Sequence, residues 1–340
     1  MTRLARATAA ASTLGLVAAL AACGGSGNAS DGTTLTVYSA QHESLVRTML
    51  ADFTEETGIE LEFRDANDSE LANQIVQEGE ASPADVFLTE NSPSIDVVDR
   101  EGLLAPLDRS TLDQVGEPYQ PSSGNWVGFA ARSTVLAYNP ELVPEAELPA
   151  SILDLAKPEY ADRVAIAAGG ADFQAIVSAV LALEGEDATR TWLTGLEQNA
   201  AVYPSNTAVM KAVDEGEVDL GVMYHYYWYR DQAENGLIGD DARLHFFGNQ
   251  DPGAFLSVSG AGVLASSDQP EEAQQLVAFL TSPAAQRRLA ESSALEYAVG
   301  VGVASADVLP PLDGLDAPAV DPGSLNAPEV TELMQDVGLL

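Results

Sequence analysis

Apolar residues recur along the chain at two alternating spacings, one typical of strands and the other of helices. Residues 35–39 are β-branched and aromatic, which predicts a strand. In residues 44–57 the apolar side chains recur every three or four positions and Gly58 follows, which predicts a helix with a glycine stop. The other predicted strands are residues 59–63, 84–89, 127–129, 135–138, 164–168, 219–223 and 254–264, and the other predicted helices are residues 69–78, 94–101, 172–183, 208–214, 271–280, 283–292 and 329–336. This alternation indicates an α/β architecture with mostly parallel sheets and helices on both faces.

The first 22 residues have the pattern of a signal peptide. Arg3 and Arg6 form a basic start, and the apolar stretch 7–22 is too short to span a bilayer comfortably. The stretch ends in Leu-Ala-Ala-Cys, which resembles a bacterial lipobox, so we expect Cys23 to carry lipid. Residues 23–33 then form a flexible tether. Cys23 is the only cysteine of the sequence, which excludes an intramolecular disulfide and thiolate metal binding.

Charge narrows the classes of ligand. Among 340 residues, 15 are Lys or Arg and 52 are Asp or Glu, for a net charge of −37. Such a balance argues against nucleic acid as a partner, because phosphates require basic residues. It favours cationic ligands over anionic ones, although a solvated acidic surface explains the charge by itself. We expect a monomer whose hydrophobic content of 46% is enough for a sizeable core.

Polar groups follow four of the predicted strands. His42 comes after the first strand, Glu90 after the strand at 84–89, a glycine pair after 164–168, and two neighbouring tyrosines after 219–223. In open α/β sheets, ligands bind beyond the carboxyl ends of the strands. Two phenols, one imidazole and one carboxylate make a hard, oxygen-rich set that suits a highly charged cation.

These groups lie within motifs that resemble the ferric-ion-binding periplasmic proteins of ABC importers. The motifs are Tyr38-Ser39-Ala40-Gln41-His42-Glu43, Phe53-Thr54-Glu55-Glu56-Thr57-Gly58-Ile59, Pro83-Ala84-Asp85-Val86-Phe87-Leu88-Thr89-Glu90, Gly102-Leu103-Leu104-Ala105-Pro106, Val213-Asp214-Glu215-Gly216-Glu217, Tyr226-Tyr227-Trp228 and Ser259-Gly260-Ala261-Gly262-Val263-Leu264. The similarity extends over residues 34–297. Its most specific part is the combination of Gln-His, Thr-Glu and Tyr-Tyr-Trp.

The resemblance implies a two-lobed, type II periplasmic-binding-protein fold with a cleft between the lobes. The chain would cross between the lobes near Ala130 and Ser257. Lobe 1 would contain residues 34–130 and 258–305, and lobe 2 residues 131–257 and 306–340. A cation bound by both lobes would pull them together, so that metal binding closes the cleft.

The resemblance also implies that the cleft binds Fe(III). The matching metal ligands are His42, Glu90, Tyr226 and Tyr227. A free phenol has a pKa of about 10, so each tyrosine must lose its proton to the metal. Two phenolates and one carboxylate would cancel the three charges of the ion. The affinity should fall as the pH drops, because protons compete for the ligands.

Many members of this family complete the iron shell with a small anion, such as phosphate or carbonate. The residues that match this anion site are Gly169, Gly170, Ala171 and Asn206. Backbone N–H groups at a helix start suit an anion, although an ordinary tight turn explains the glycines equally well. Tyr224 replaces a family asparagine that contacts the anion, which leaves its identity and its presence open. Tyr224 or His225 could instead reach the metal, and Asn91 could support the ligands or cap a helix.

The predicted function is that of an extracytoplasmic receptor, anchored to the bacterial cell membrane through lipid on Cys23. It would deliver ferric iron to the permease and ATPase of an ABC importer. One alternative keeps the fold and changes the ligand to an organic or oxyanion solute such as thiamine, a polyamine or a phosphonate. Others are a secreted mononuclear metalloenzyme and a structural surface lipoprotein. An enzyme is not expected, since His-Glu-x-x-His, Gly-x-Ser-x-Gly and Cys/His zinc spacings do not occur in the sequence.

Overall fold

A computed structural model of the chain describes residues 33–235 and 242–340. Within these ranges the chain forms ten β-strands and twelve α-helices. The strands are β1 (Thr34–Ser39), β2 (Glu60–Asp65), β3 (Val86–Leu88), β4 (Leu104–Ala105), β5 (Trp126–Tyr138), β6 (Val164–Ile166), β7 (Ala200–Val202), β8 (Leu220–Tyr224), β9 (Arg243–His245) and β10 (Leu256–Leu264). The helices are α1 (Glu43–Met49), α2 (Phe53–Thr57), α3 (Asp68–Glu78), α4 (Ser92–Arg100), α5 (Arg109–Leu112), α6 (Ala171–Glu184), α7 (Glu186–Asn199), α8 (Asn206–Asp214), α9 (His225–Asn235), α10 (Pro270–Leu280), α11 (Pro283–Glu291) and α12 (Ala327–Val337).

The predicted signal peptide, Cys23 and the tether up to residue 32 lie outside the described residues. In the described part of the chain, no helix is both long enough and apolar enough to cross a bilayer.

The sheet joins two groups of parallel strands through two long antiparallel ones. Its path runs β2-β1-β3-β10-β5-β8-β6-β7. β1 is parallel to β2 and β3, and β6 is parallel to β7 and β8. β5 and β10 pair antiparallel with each other, and β5 continues antiparallel to β8. The sheet is therefore mixed rather than mostly parallel, because the strands that link the halves run against their neighbours.

The hydrophobic core is divided in the same way. Helices α1, α10 and α11 pack their buried faces with β1, β3 and β10 in the first half. Helices α6, α7 and α12 pack with β6 and β8 in the second half. In the tail, Leu309 and Leu315 pack in the first core, whereas Val320 packs against the second core and Leu325 belongs to it. The lobe limits remain a prediction.

Two predicted elements differ from the structure near the linking strands. The two short strands predicted at 127–129 and 135–138 form the single strand β5, in which all thirteen residues are buried. The polar residues between them continue the strand because their backbone pairs with β10, as Arg132 does with Ser257. No helix is predicted directly after the strand at 219–223, whereas the structure has helix α9 there, so Tyr226 and Tyr227 lie in its first turn. Helix α7, which begins after Gly185, has no counterpart in the prediction.

Candidate metal centre

His42 and Glu90 meet at the carboxyl ends of β1 and β3. His42 is the N-cap residue of α1, and its backbone N–H donates to the side-chain oxygen of Gln41 at 2.6 Å. The loop after β3 is held by the buried carboxylate of Asp68, which accepts the backbone N–H of Glu90 at 2.9 Å. These loop contacts bring His42 Nε2 to 3.3 Å from Glu90 Oε1.

Tyr226 joins this pair from the second half of the molecule. Its hydroxyl donates to Glu90 Oε1 at 3.1 Å and lies 3.3 Å from His42 Nε2. The tyrosine is fully buried. An imidazole, a carboxylate and a phenol thus converge within hydrogen-bond distance, although 184 positions separate His42 from Tyr226.

Tyr227 stacks beside Tyr226 and contacts Asp172, a residue that the sequence analysis did not predict for this site. The two rings are stacked with centroids 4.2 Å apart. The Tyr227 hydroxyl donates to Asp172 Oδ2 at 2.9 Å. Asp172 is buried in the first turn of α6, next to the predicted anion loop. The signal in the sequence is an acid that directly follows Gly-Gly-Ala at a strand end.

The predicted anion-binding residues surround this carboxylate. Asn206 donates its side-chain amide to Asp172 Oδ2 at 2.8 Å. Gly170 donates its backbone N–H to the Ala167 carbonyl at 2.9 Å, and Gly169 and Ala171 complete the turn into α6. The Asn206 amide, which was expected to bind an external anion, is thus directed at an internal one. The anion site remains a prediction.

The three additional candidates occupy different places. Asn91 donates to Asp172 Oδ1 at 3.0 Å and accepts from Ser257 at 2.8 Å, so it links the two halves behind the candidate metal donors. Tyr224 is buried and donates to the Asp172 carbonyl at 3.2 Å. His225 accepts the Ser133 backbone N–H at its Nδ1, at 3.1 Å. The polar atoms of Asn91, Tyr224 and His225 in these contacts are therefore bonded to other groups of the protein.

Electrostatics set the protonation of the donors. Burial raises the pKa of Tyr226 far above its ordinary value, and the carboxylates of Asp172 and Glu90 raise it further. Burial and the same two carboxylates raise the pKa of Tyr227. Burial raises the pKa of Asp172 to about 6. Burial also acts to raise the pKa of Glu90, but the hydrogen bond from His42 and the charge of Arg132 outweigh it and lower that pKa.

The pKa values of His42 and His225 are shifted in opposite directions. The hydrogen bond with Glu90 raises the pKa of His42 despite burial. Burial lowers the pKa of His225 to about 3. At neutral pH the centre therefore holds an ionised Glu90 beside two protonated phenols, and His225 is neutral.

Comparison of the sequence with known proteins identifies the family of this chain. A family model described as bacterial extracellular solute-binding protein matches residues 39–287. The chain belongs to this family. It is 52% identical over 333 residues to the Fe(3+)-binding periplasmic protein of Serratia marcescens, covering 97% of this chain and 98% of that protein. It is 35% identical over 308 residues to the major ferric iron-binding protein of Neisseria meningitidis, with 90% and 93% covered.

Solved structures agree with these relatives. Iron-bound HitA from Pseudomonas aeruginosa superposes with a TM-score of 0.84 at 41% identity, covering 90% of this chain and 99% of that chain. A Trichodesmium protein in complex with iron and citrate superposes with a TM-score of 0.77 at 27% identity, with 90% and 99% covered. The two-lobed binding-protein fold and the resemblance to ferric-ion-binding proteins are confirmed.

Proposed function

We propose that this solute-binding protein binds one ferric ion between its lobes and delivers it to the permease and ATPase of an ABC importer. The observation that carries the proposal is that Tyr226 from one half meets His42 and Glu90 from the other. Tyr227 stacks on Tyr226 and places its hydroxyl on Asp172. The relatives named for Fe(3+) binding support the choice of metal.

The donor chemistry favours a trivalent ion over a divalent one. Carboxylate and phenolate oxygens are hard ligands, which suit Fe(III) better than soft metals. The phenols are buried and protonated, so a metal must displace two protons to bind both of them. An ion of high charge does this most readily. Two phenolates and Glu90 supply three negative charges, which match the charge of the ion.

We propose Asp172 as a further oxygen ligand. Its Oδ2 lies 2.9 Å from the Tyr227 hydroxyl, so an ion that replaces the phenolic proton comes close to the carboxylate. A side-chain carboxylate here supplies the negative charge that a free anion supplies in other members. Binding would then need no phosphate or carbonate.

Because the proposed ligands come from both halves, binding of the cation is coupled to closure of the lobes. The cation holds the lobes closed while it is bound, and the importer distinguishes loaded from empty receptor by that closure. Relatives that are transport proteins support a binding role rather than an enzymatic one. The lipid on Cys23 would keep the receptor, acting as a monomer, at the outer face of the membrane.

The test is a ferric titration followed by visible absorption and by small-angle scattering. Adding Fe(III)-nitrilotriacetate should produce an intense phenolate-to-iron band at one ion per chain and reduce the radius of gyration. Tyr226→Phe and Tyr227→Phe should each shift or abolish the band. Tyr229→Phe is the matched control on the same helix and should leave it unchanged. A band that persists in both ligand variants, or uptake of an organic solute without iron, contradicts the proposal.

A further inference from the structure

A buried cation lies directly behind the metal donors. Arg132, in the middle of β5, has no exposed side-chain surface. Its Nη1 lies 3.5 Å from Glu90 Oε1, the oxygen that also faces His42 and Tyr226. Its Nη2 donates to the Glu90 carbonyl and to Ser259 on β10. The guanidinium therefore fixes Glu90 against both linking strands.

This arrangement opposes the binding of a metal cation. A guanidinium within 3.5 Å of a ligand carboxylate competes with an incoming ion for that carboxylate. It also repels the ion, and repulsion is strong where burial excludes water. A site with Arg132 alone would therefore hold Glu90 in place at the expense of affinity.

A second buried carboxylate offsets the guanidinium from its other side. Glu296 is 1% exposed, and its Oε2 lies 3.5 Å from Arg132 Nε. Neither Glu296 oxygen accepts a hydrogen bond from any residue that the structure describes, so its interaction with Arg132 is mainly one of charge. The neighbouring Tyr297 exchanges backbone hydrogen bonds of 2.8 and 3.0 Å with Ala131, which fastens Glu296 to β5.

We propose that Glu296 is a positioning residue of the metal centre that acts through Arg132. Its charge holds the guanidinium partly away from Glu90, so that Glu90 stays oriented by Arg132 and is still free to bind a trivalent cation. The inference rests on the proposed ferric function. Glu296 itself touches neither His42 nor Glu90 in the contacts that the described residues make.

The test is Glu296→Gln, which removes the charge and keeps the shape. Ferric affinity is measured at pH 8 by competition with a chelator, together with the visible band and the thermal unfolding temperature. We expect affinity to fall by roughly ten- to a hundredfold, as for other residues that support metal ligands. The band should keep its wavelength because both tyrosines remain. Asp219→Asn is the matched control, since it removes the carboxylate paired with Arg163 at the far end of β8 and should leave affinity unchanged.

A double variant separates charge from packing. In Arg132→Gln with Glu296→Gln the repelling cation is gone, so affinity should recover above that of the single variant. An unchanged affinity in Glu296→Gln overturns the inference, even if the unfolding temperature falls. A double variant that binds as weakly as the single one also overturns it. If the double variant does not fold, the single comparison decides. Failure of the wild-type protein to bind iron would instead refute the proposed function.

Discussion

Ferric binding should release two protons per ion near pH 8. The phenols of Tyr226 and Tyr227 are protonated there, because burial and nearby carboxylates raise both pKa values. Glu90 is ionised, since its pKa is lowered. Asp172, with a pKa of about 6, is also ionised. Each bound phenolate therefore accounts for one displaced proton, and the carboxylates for none.

The number of protons released on binding determines how the ferric affinity depends on pH. Protons and iron compete for the same oxygens, so the affinity falls as the pH falls. The two protons displaced from the phenols should change the affinity by about a hundredfold per pH unit between pH 8 and 7, which is ~2.7 kcal/mol. Burial raises the pKa of Glu296 to about 7, so the loss of its charge in the same range should add to this fall. Toward pH 6 the slope should steepen, because Asp172 and His42, whose pKa is raised, also hold protons that the metal must remove.

The assay is a pH-stat titration with Fe(III)-nitrilotriacetate. The measured release is corrected for the protons that the freed nitrilotriacetate and any hydroxide bound to the chelate take up at that pH, and it is checked against affinities measured at several pH values. Tyr227→Phe should release one proton, with a slope of about tenfold per pH unit. Tyr229→Phe should still release two. A wild-type release near zero would show that the phenols are not ligands, and a release near one would leave only a single tyrosine bound.

Three other changes test separate parts of the structure. Asp172→Asn should keep the visible band, lower the ferric affinity at least tenfold, and make that affinity respond to added phosphate. If added phosphate changes the affinity of neither the wild type nor the variant, a ligand role for Asp172 is contradicted. Gly195→Ala should reduce the free energy of unfolding, measured by urea denaturation, by about 1–3 kcal/mol, because the added Cβ would lie 2.4 Å from the Ala156 Cβ. Gly248→Ala is the control: its added Cβ would meet no atom within 4 Å, so the free energy of unfolding should change little. Cys23→Ser should release the protein from the membrane fraction, and continued membrane association would argue against the lipid anchor.

The principal ligand candidates could be found from the sequence because their signals are local. His42, Glu90 and the tyrosine pair each follow a recognisable strand, and the carboxyl ends of such strands meet at one edge of a sheet. The same local patterns indicated an α/β chain, and the family motifs indicated two lobes. The prediction was wrong where a signal depended on contacts, as in the polar middle of β5 and the helix that carries the tyrosines.

Only the tertiary structure decided what surrounds those ligand candidates. Asp172 reads as an ordinary helix-start acid until Tyr227 and Asn206 are seen to donate to it. Arg132 and Glu296 are 164 positions apart and become partners only because β5 pairs with the segment around Tyr297. The sequence thus determined which chemical groups are available, since those depend on residue type and local spacing. Their charge state and mutual distance depend on burial and long-range strand register, which arise only when the chain folds.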